Sequence, residues 1–163
     1  MKVLGVDPGL RTSGYAVVTL QGRNLRVLDA GAIRADQQLP LAQRINQIYQ
    51  DVEALLDEHS VDIMAIEELY AHYKHPRTAI LMGHARGVFL LAASRHGIPV
   101  HGFSATRVKK SLTGVGRAAK QQVQKAVKNQ LNLNRIPRPA DVADALAVAM
   151  CCINEHARKI LLK

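Results

Sequence analysis

Hydrophobic and polar positions follow two rhythms along this chain, and the changes of rhythm mark its elements. Lys2–Val6 is a short, branched apolar run that reads as a buried strand. Asp7 and the turn pair Pro8-Gly9 end it, and Gly14–Leu20 resumes as a second strand. Gln21-Gly22-Arg23-Asn24 has the composition of a hairpin turn. Leu25–Ile33 follows as a third strand, with Leu25, Val27 and Ala30 set against polar neighbours, so the first three strands form an antiparallel meander. The period then lengthens. Leu41, Ile45, Ile48, Val52, Leu55 and Leu56 recur at helical spacing over residues 41–56. Val61–Ile66 is another apolar strand, ending on Glu67-Glu68. Thr78–His96 reads as a long helix stopped by Gly97, and Ile98–Phe103 as a fifth strand. The remainder is helical: Ala105–Leu112, a loop at Thr113-Gly114-Val115-Gly116, Arg117–Leu131, a Pro-bounded loop over Asn132–Pro139, and a last helix from Ala140 to Ala157.

The order β-β-β-α-β-α-β-α predicts an α/β fold. Its five-stranded mixed sheet has three antiparallel strands, then two parallel ones, flanked by helices. A helical crossover lets the fourth strand lie parallel beside the first. The carboxyl ends of those two strands then form a switch point, the usual ligand position in open α/β sheets. Asp7 and Glu67 stand at those two ends.

Totals narrow the classes. A length of 163 residues suits one domain with a full core, taken here as 1–158 with a short tail over 159–163. No apolar run approaches the roughly 18–20 residues of a membrane span, and no signal segment opens the chain. The two cysteines, Cys151 and Cys152, are adjacent, which excludes a disulfide framework and points to a reduced, cytoplasmic setting. The net charge of +9 is unevenly spread. Residues 1–68 hold ten acids and six Lys/Arg, whereas residues 69–140 hold thirteen Lys/Arg and no acid. An acid-free basic tract of that length suits a polyanion, nucleic acid being the commonest.

Against that tract the acids carry the chemistry. Asp7 before Pro-Gly serves either as a turn initiator or as a rigid platform for a cation. Only one of Glu67 and Glu68 can face the cluster, because side chains alternate along a strand. Asp141 and Asp144, three apart, project from one face at the front of an almost wholly apolar helix. Asp141 alone serves either as a first-turn acid favoured by the helix macrodipole or as a ligand; Asp144, deeper in the helix, is harder to account for by the macrodipole. Together four carboxylates could hold two divalent cations, and oxygen ligands suit Mg²⁺ or Mn²⁺. Beside a basic tract, this predicts a metal-dependent nuclease.

The segments VDPGLRTSGYAV, AIEELY, GHARGV, VKKSLTGVGRAAKQQV and PADVADALAVA, in that order, resemble the RuvC-type Holliday junction resolvases. These are crossover junction endodeoxyribonucleases with an RNase H-like fold, and the resemblance runs from Met1 to Cys152. It implies that Asp7, Glu67, Asp141 and Asp144 are the metal-binding catalytic set for two Mg²⁺ ions, Mn²⁺ substituting. It also implies a homodimer on four-way junction DNA that nicks two strands of like polarity, working with a branch-migration complex of the RuvA and RuvB type. The helix bearing Gly83 and Gly87 looks like the family's dimer element. Tyr70 or Tyr73 is implied as the aromatic wedge at the junction centre. Lys109 and Lys120 match basic residues near the scissile phosphate, with Lys110, Arg117 and Lys125 as backbone contacts. His72 and His75 are read as loop histidines near DNA. The rival readings are an RNase H-like nuclease for RNA-containing substrates and a non-catalytic junction-binding module. An actin-like phosphotransferase needs a second half for which the chain has no room.

Overall fold

The computed structural model describes residues 1–22, 24–69 and 76–161, without the side chains of residues 76, 160 and 161. Ten elements follow in order: β1 (Lys2–Asp7), β2 (Thr12–Gln21), β3 (Asn24–Arg34), α1 (Leu41–Glu58), β4 (Ile63–Glu67), α2 (Pro76–Arg95), β5 (Val100–Phe103), α3 (Ala105–Thr113), α4 (Lys120–Gln130) and α5 (Ala140–Leu161). The strands form one sheet in the order β3-β2-β1-β4-β5. β1 pairs antiparallel with β2 and parallel with β4, and β5 runs parallel to β4. This is the mixed sheet expected from the pattern.

Val3, Leu4 and Val6 of the central strand are sealed from solvent because both faces of the sheet are covered. Val3 and Ala65 belong to a core built with α3, α4 and α5. Leu4, Val6, Met64 and Ile66 belong to the opposite core, built with α1 and α2. On the α5 side, packing is backbone to backbone. A Cβ on Gly5 would stand 2.2 Å from the carbonyl oxygen of Ala145, and one on Gly14 only 1.9 Å from that of Asp141. Only glycine lets the helix lie this close.

At the edge, β3 does not keep a simple alternation. Val17 pairs with Asp29 but Val18 with Val27, so Leu28 is an extra, 39% exposed residue in a β-bulge. The bulge resets the parity, and Leu25, Val27, Ala30 and Ala32 all reach the α5-side core.

Boundaries differ from the predicted ones for local reasons. Leu41 is exposed in the first turn of α1, so the buried stripe begins later, with Ile48, Val52, Leu55 and Leu56. β4 starts at Ile63 because Asp62 is held outside it, its carboxylate accepting from the Lys2 amide at 2.7 Å. Ile98 closes α2 instead of opening a strand: its amide donates to the Ala93 carbonyl at 2.9 Å, past Gly97 at φ 66°. α4 begins at Lys120, not Arg117. Ala118 is buried, Ala119 is extended, and the Gln122 side chain accepts from the Ala119 amide at 2.8 Å. Arg117 therefore lies in the loop. α5 continues to Leu161, through the first residues of the expected tail. Among the described residues, no helix is long and apolar enough to cross a membrane.

Candidate active site

Strand register brings the first two acids together. Val6 pairs with Ile66, and the next residues on these parallel strands are Asp7 and Glu67. Asp7 also faces Gly14 across β2, and Gly14 lies under the Asp141 backbone. The close seat of α5 thus delivers Asp141 and Asp144 to the same end of the sheet. Glu68 is exposed and turns to the other face, where its side chain lies against Gly102.

The electrostatics record how tight the cluster is. The Asp7 carboxyl is pushed up to about 8, first by burial and then by Glu67, Asp144 and Asp141, with Lys120 opposing. Glu67 is raised by burial and by Asp144, against Lys120 and Lys109. Lys120 Nζ donates to Asp144 Oδ2 at 2.6 Å, and this bond, chiefly, raises the lysine. Lys120 is the first residue of α4, where a cation opposes the macrodipole and the first turn has no acid. Asp144 supplies the missing counter-charge from another helix.

Two cavities share the cluster. Glu67, Lys109, Lys120 and Asp144 line one of about 210 Å³, with Val108, Val123 and Val148 among its apolar walls. Asp7 and Asp141 line another of about 500 Å³, reaching Arg11, Arg44 and Thr78. All four acid side chains offer oxygen donors only. Mutually repelling, half-buried carboxylates, one of them protonated near neutral pH, are a set that a hard divalent cation would relieve. The residues present fit such ions.

Of the predicted DNA contacts, Lys109 and Lys120 reach the cluster. Lys110, Arg117 and Lys125 are exposed and do not line either cavity. Tyr70, Tyr73, His72 and His75 lie outside the described residues.

Three positioning features escaped the sequence reading. Ser13 is fully buried; its hydroxyl accepts from the Gly9 amide at 2.9 Å and donates to the Gly9 carbonyl at 2.7 Å, pinning the turn after Asp7. Arg44 donates to the Leu10 carbonyl at 3.1 Å and to Gln37 at 2.7 Å, bracing the same loop from α1. Gly5 and Gly14 seat α5. Glycine inside a strand pattern is a recognisable sign of close backbone approach. Ser13 and Arg44 left no comparable mark.

The family profile of crossover junction endodeoxyribonuclease RuvC matches residues 3–152. The chain belongs to the RuvC family. A crossover junction endodeoxyribonuclease RuvC of Rhodopirellula baltica is 52% identical over 149 residues, covering 91% of this chain and 84% of the relative. Another, from Ruminiclostridium cellulolyticum, is 43% identical over 99% of this chain and 97% of its own length. Among solved structures, Thermus thermophilus RuvC in complex with Holliday junction substrate superposes with a TM-score of 0.92 at 33% identity, covering 98% of this chain and 96% of that one. The RNase H-like fold expected from the resemblance is the fold of this RuvC family member.

Proposed function

We propose that this chain is a structure-selective endonuclease that resolves Holliday junctions by hydrolysing phosphodiesters with two divalent ions, Mg²⁺ in the first place. One observation carries this reading. Four carboxylates from β1, β4 and α5 meet at one end of the sheet beside Lys120 and Lys109, in a chain of the RuvC family.

Asp7, Glu67, Asp141 and Asp144 would hold the ions. The chemistry such ions would supply there is neutralisation of phosphate charge and easier deprotonation of the attacking water. The chain's own groups prepare that step. Asp7, held up to about 8 by burial and by its acidic neighbours, would have to release its carboxyl proton to solvent to serve as a ligand. Lys120, with its side chain 59% exposed, is free to leave Asp144 and meet a non-bridging phosphate oxygen. Lys109 adds positive charge on the Glu67 side of the cavity. Lys110, Arg117 and Lys125 contribute salt-dependent contacts to the DNA backbone. The aromatic wedge at the crossover is assigned to Tyr70 or Tyr73.

A homodimer would present two such sites to a two-fold substrate and so pair its nicks. The outer face of α2 supports this. Ile80 and Leu91 are 62% and 56% exposed, with Gly83 and Gly87 between them. An added Cβ on Gly87 meets nothing within 4 Å in this chain. Ala85 does not join that face; it is fully buried. A branch-migration complex of the RuvA and RuvB type would then deliver the junction.

Incubation with a synthetic four-way junction, a linear duplex and an RNA–DNA hybrid, each with Mg²⁺ and with EDTA, tests the reading. Paired nicks confined to the junction and abolished by EDTA are expected. Preferred cutting of the hybrid would make the chain an RNA-directed nuclease, and binding without cutting would make it a junction-binding module.

A further inference from the structure

The far half of α5 carries a second group of coordinating side chains. Cys152 and His156 are four residues apart on the helix and project to one side. His101 comes from β5, where it shares the α5-facing side of the strand with Phe103. The His101 and His156 rings are stacked, with centroids 5.4 Å apart and planes inclined by 24°. Cys152 Sγ is 3.8 Å from Nδ1 of His156. One ligand atom from each of the three residues lies within 4.8 Å of the others. Cys152 is sealed from solvent while both histidines are half-buried, so an approach is open from the imidazole side.

These separations nearly match a tetrahedral site. Zinc bonds of about 2.3 Å to sulfur and about 2.0–2.1 Å to nitrogen place sulfur and nitrogen ligands roughly 3.5 Å apart. The Cys152–His156 pair is already near that value, and the widest gap closes by about 1 Å, within the reach of small side-chain rotations. One sulfur and two imidazole nitrogens favour a borderline ion such as zinc over Mg²⁺, which seeks oxygen. Cys152 lies eight residues beyond Asp144 on α5, about 12 Å along the axis, so the group is separate from the carboxylates. The adjacent thiol does not belong to it: Cys151 Sγ points instead to the Arg107 carbonyl, 4.0 Å away.

We propose that His101, Cys152 and His156 form a second metal site, a two-nitrogen, one-sulfur set for a zinc-class divalent ion. Its fourth position is open to water. On binding, the thiol loses its proton to solvent and the His156 ring exchanges its contact with the Cys152 carbonyl, 3.0 Å from Nδ1, for the ion. The bound ion clips the edge strand β5 to α5. One helix then sorts ions by hardness, with oxygen donors at its start and nitrogen and sulfur near its end.

Cobalt(II) titration of the full chain, with excess Mg²⁺ present to occupy the oxygen donors, tests this. Expected is a sulfur-to-cobalt charge-transfer band that saturates at one ion per chain and disappears when one equivalent of zinc is added. Cys152→Ser should abolish the band and Cys151→Ser should keep it. His101→Gln should weaken cobalt binding by at least about tenfold. Zinc should also raise the melting temperature of the wild type but not of Cys152→Ser. If Cys152→Ser fails to fold, His101→Gln, at a half-buried position, decides the matter by its loss of affinity. Absence of the band at every cobalt concentration, its persistence in Cys152→Ser, or unchanged affinity in His101→Gln overturns the site. None of these readouts depends on nuclease activity, so the resolvase reading stands or falls separately.

Discussion

The two faces of the sheet are packed in opposite ways. On one, Gly5 and Gly14 let α5 rest its backbone directly on the strands, and the helix brings alanines and two acids. On the other, α1 and α2 meet the sheet through large side chains such as Phe89, Ile48 and Leu56. The glycines of α2 touch almost nothing: a Cβ on Gly83 would come no nearer than 3.9 Å to Leu69. Side-chain packing tolerates small displacements through rotamer changes, whereas backbone contact does not. The face that must hold four carboxylates in register is the one built without slack. The face with slack presents glycines outward, where a second chain could approach.

Substitutions can break or sharpen this contrast. The largest effect is expected from Asp7→Asn, which removes the acid on which Glu67, Asp144 and Asp141 all act. Junction cleavage with Mg²⁺ should fall by on the order of 10³-fold while junction binding in gel shift persists. Equal cleavage by mutant and wild type would take Asp7 out of the mechanism. Gly14→Ala comes next, since the new methyl meets the Asp141 carbonyl. A displacement of about 1 Å should cost about 10²-fold in rate, with roughly 1–3 kcal/mol of stability lost by denaturant unfolding. An unchanged rate would show that the close seat of α5 is dispensable. Lys120→Ala should slow single-turnover cleavage by about 10²-fold or less and alter affinity little. Weakened binding with an undiminished maximal rate would move Lys120 to a purely DNA-holding role.

The pH response is a subtler probe of the same cluster. Asp7 titrates near 3.8 when unfolded and near 8 when folded, so over that interval the native state holds a proton that the unfolded chain has shed. Its contribution to stability is therefore full below the lower value, declines as pH rises between the two, and levels off above the higher one. Without divalent ions, the melting temperature should drop from pH 5 to pH 8, and Asp7→Asn should flatten the slope. An identical slope in the mutant would assign the effect to other groups. The smallest change is expected from Gly87→Ala. The isolated chain should gain about 1 kcal/mol from helix propensity, while dimer dissociation in sedimentation should become easier. A dimer of unaltered strength would place the interface elsewhere.

The architecture was legible because each element announces its own period. Branched runs such as Lys2–Val6 and the spacing of Ile48, Val52 and Leu55 leave little choice between strand and helix. The pairing of Asp7 with Glu67 was legible too, since a parallel crossover aligns two strand ends. Less accessible were features set by a single distant contact. The start of α4 depends on a glutamine reaching back to Ala119, and the end of α2 on Ile98 bonding backward. Ser13 works through a buried hydroxyl whose partner lies four residues earlier, and nothing in its own neighbourhood distinguishes it from an ordinary strand serine. Arg44 acts from another element altogether, across thirty-four residues.

The extra residue at Leu28 has its own consequence for how this edge can vary. Replacing Leu28 changes a solvent-facing side chain, which the sheet should absorb. Removing it would join Val27 directly to Asp29, whose partners Val18 and Val17 are already consecutive, so the ladder would close without the bulge and Ala30 and Ala32 would keep their side. Shortening the strand at this one place costs the local twist and not the order of the pairs, so it is a lesion the edge should survive.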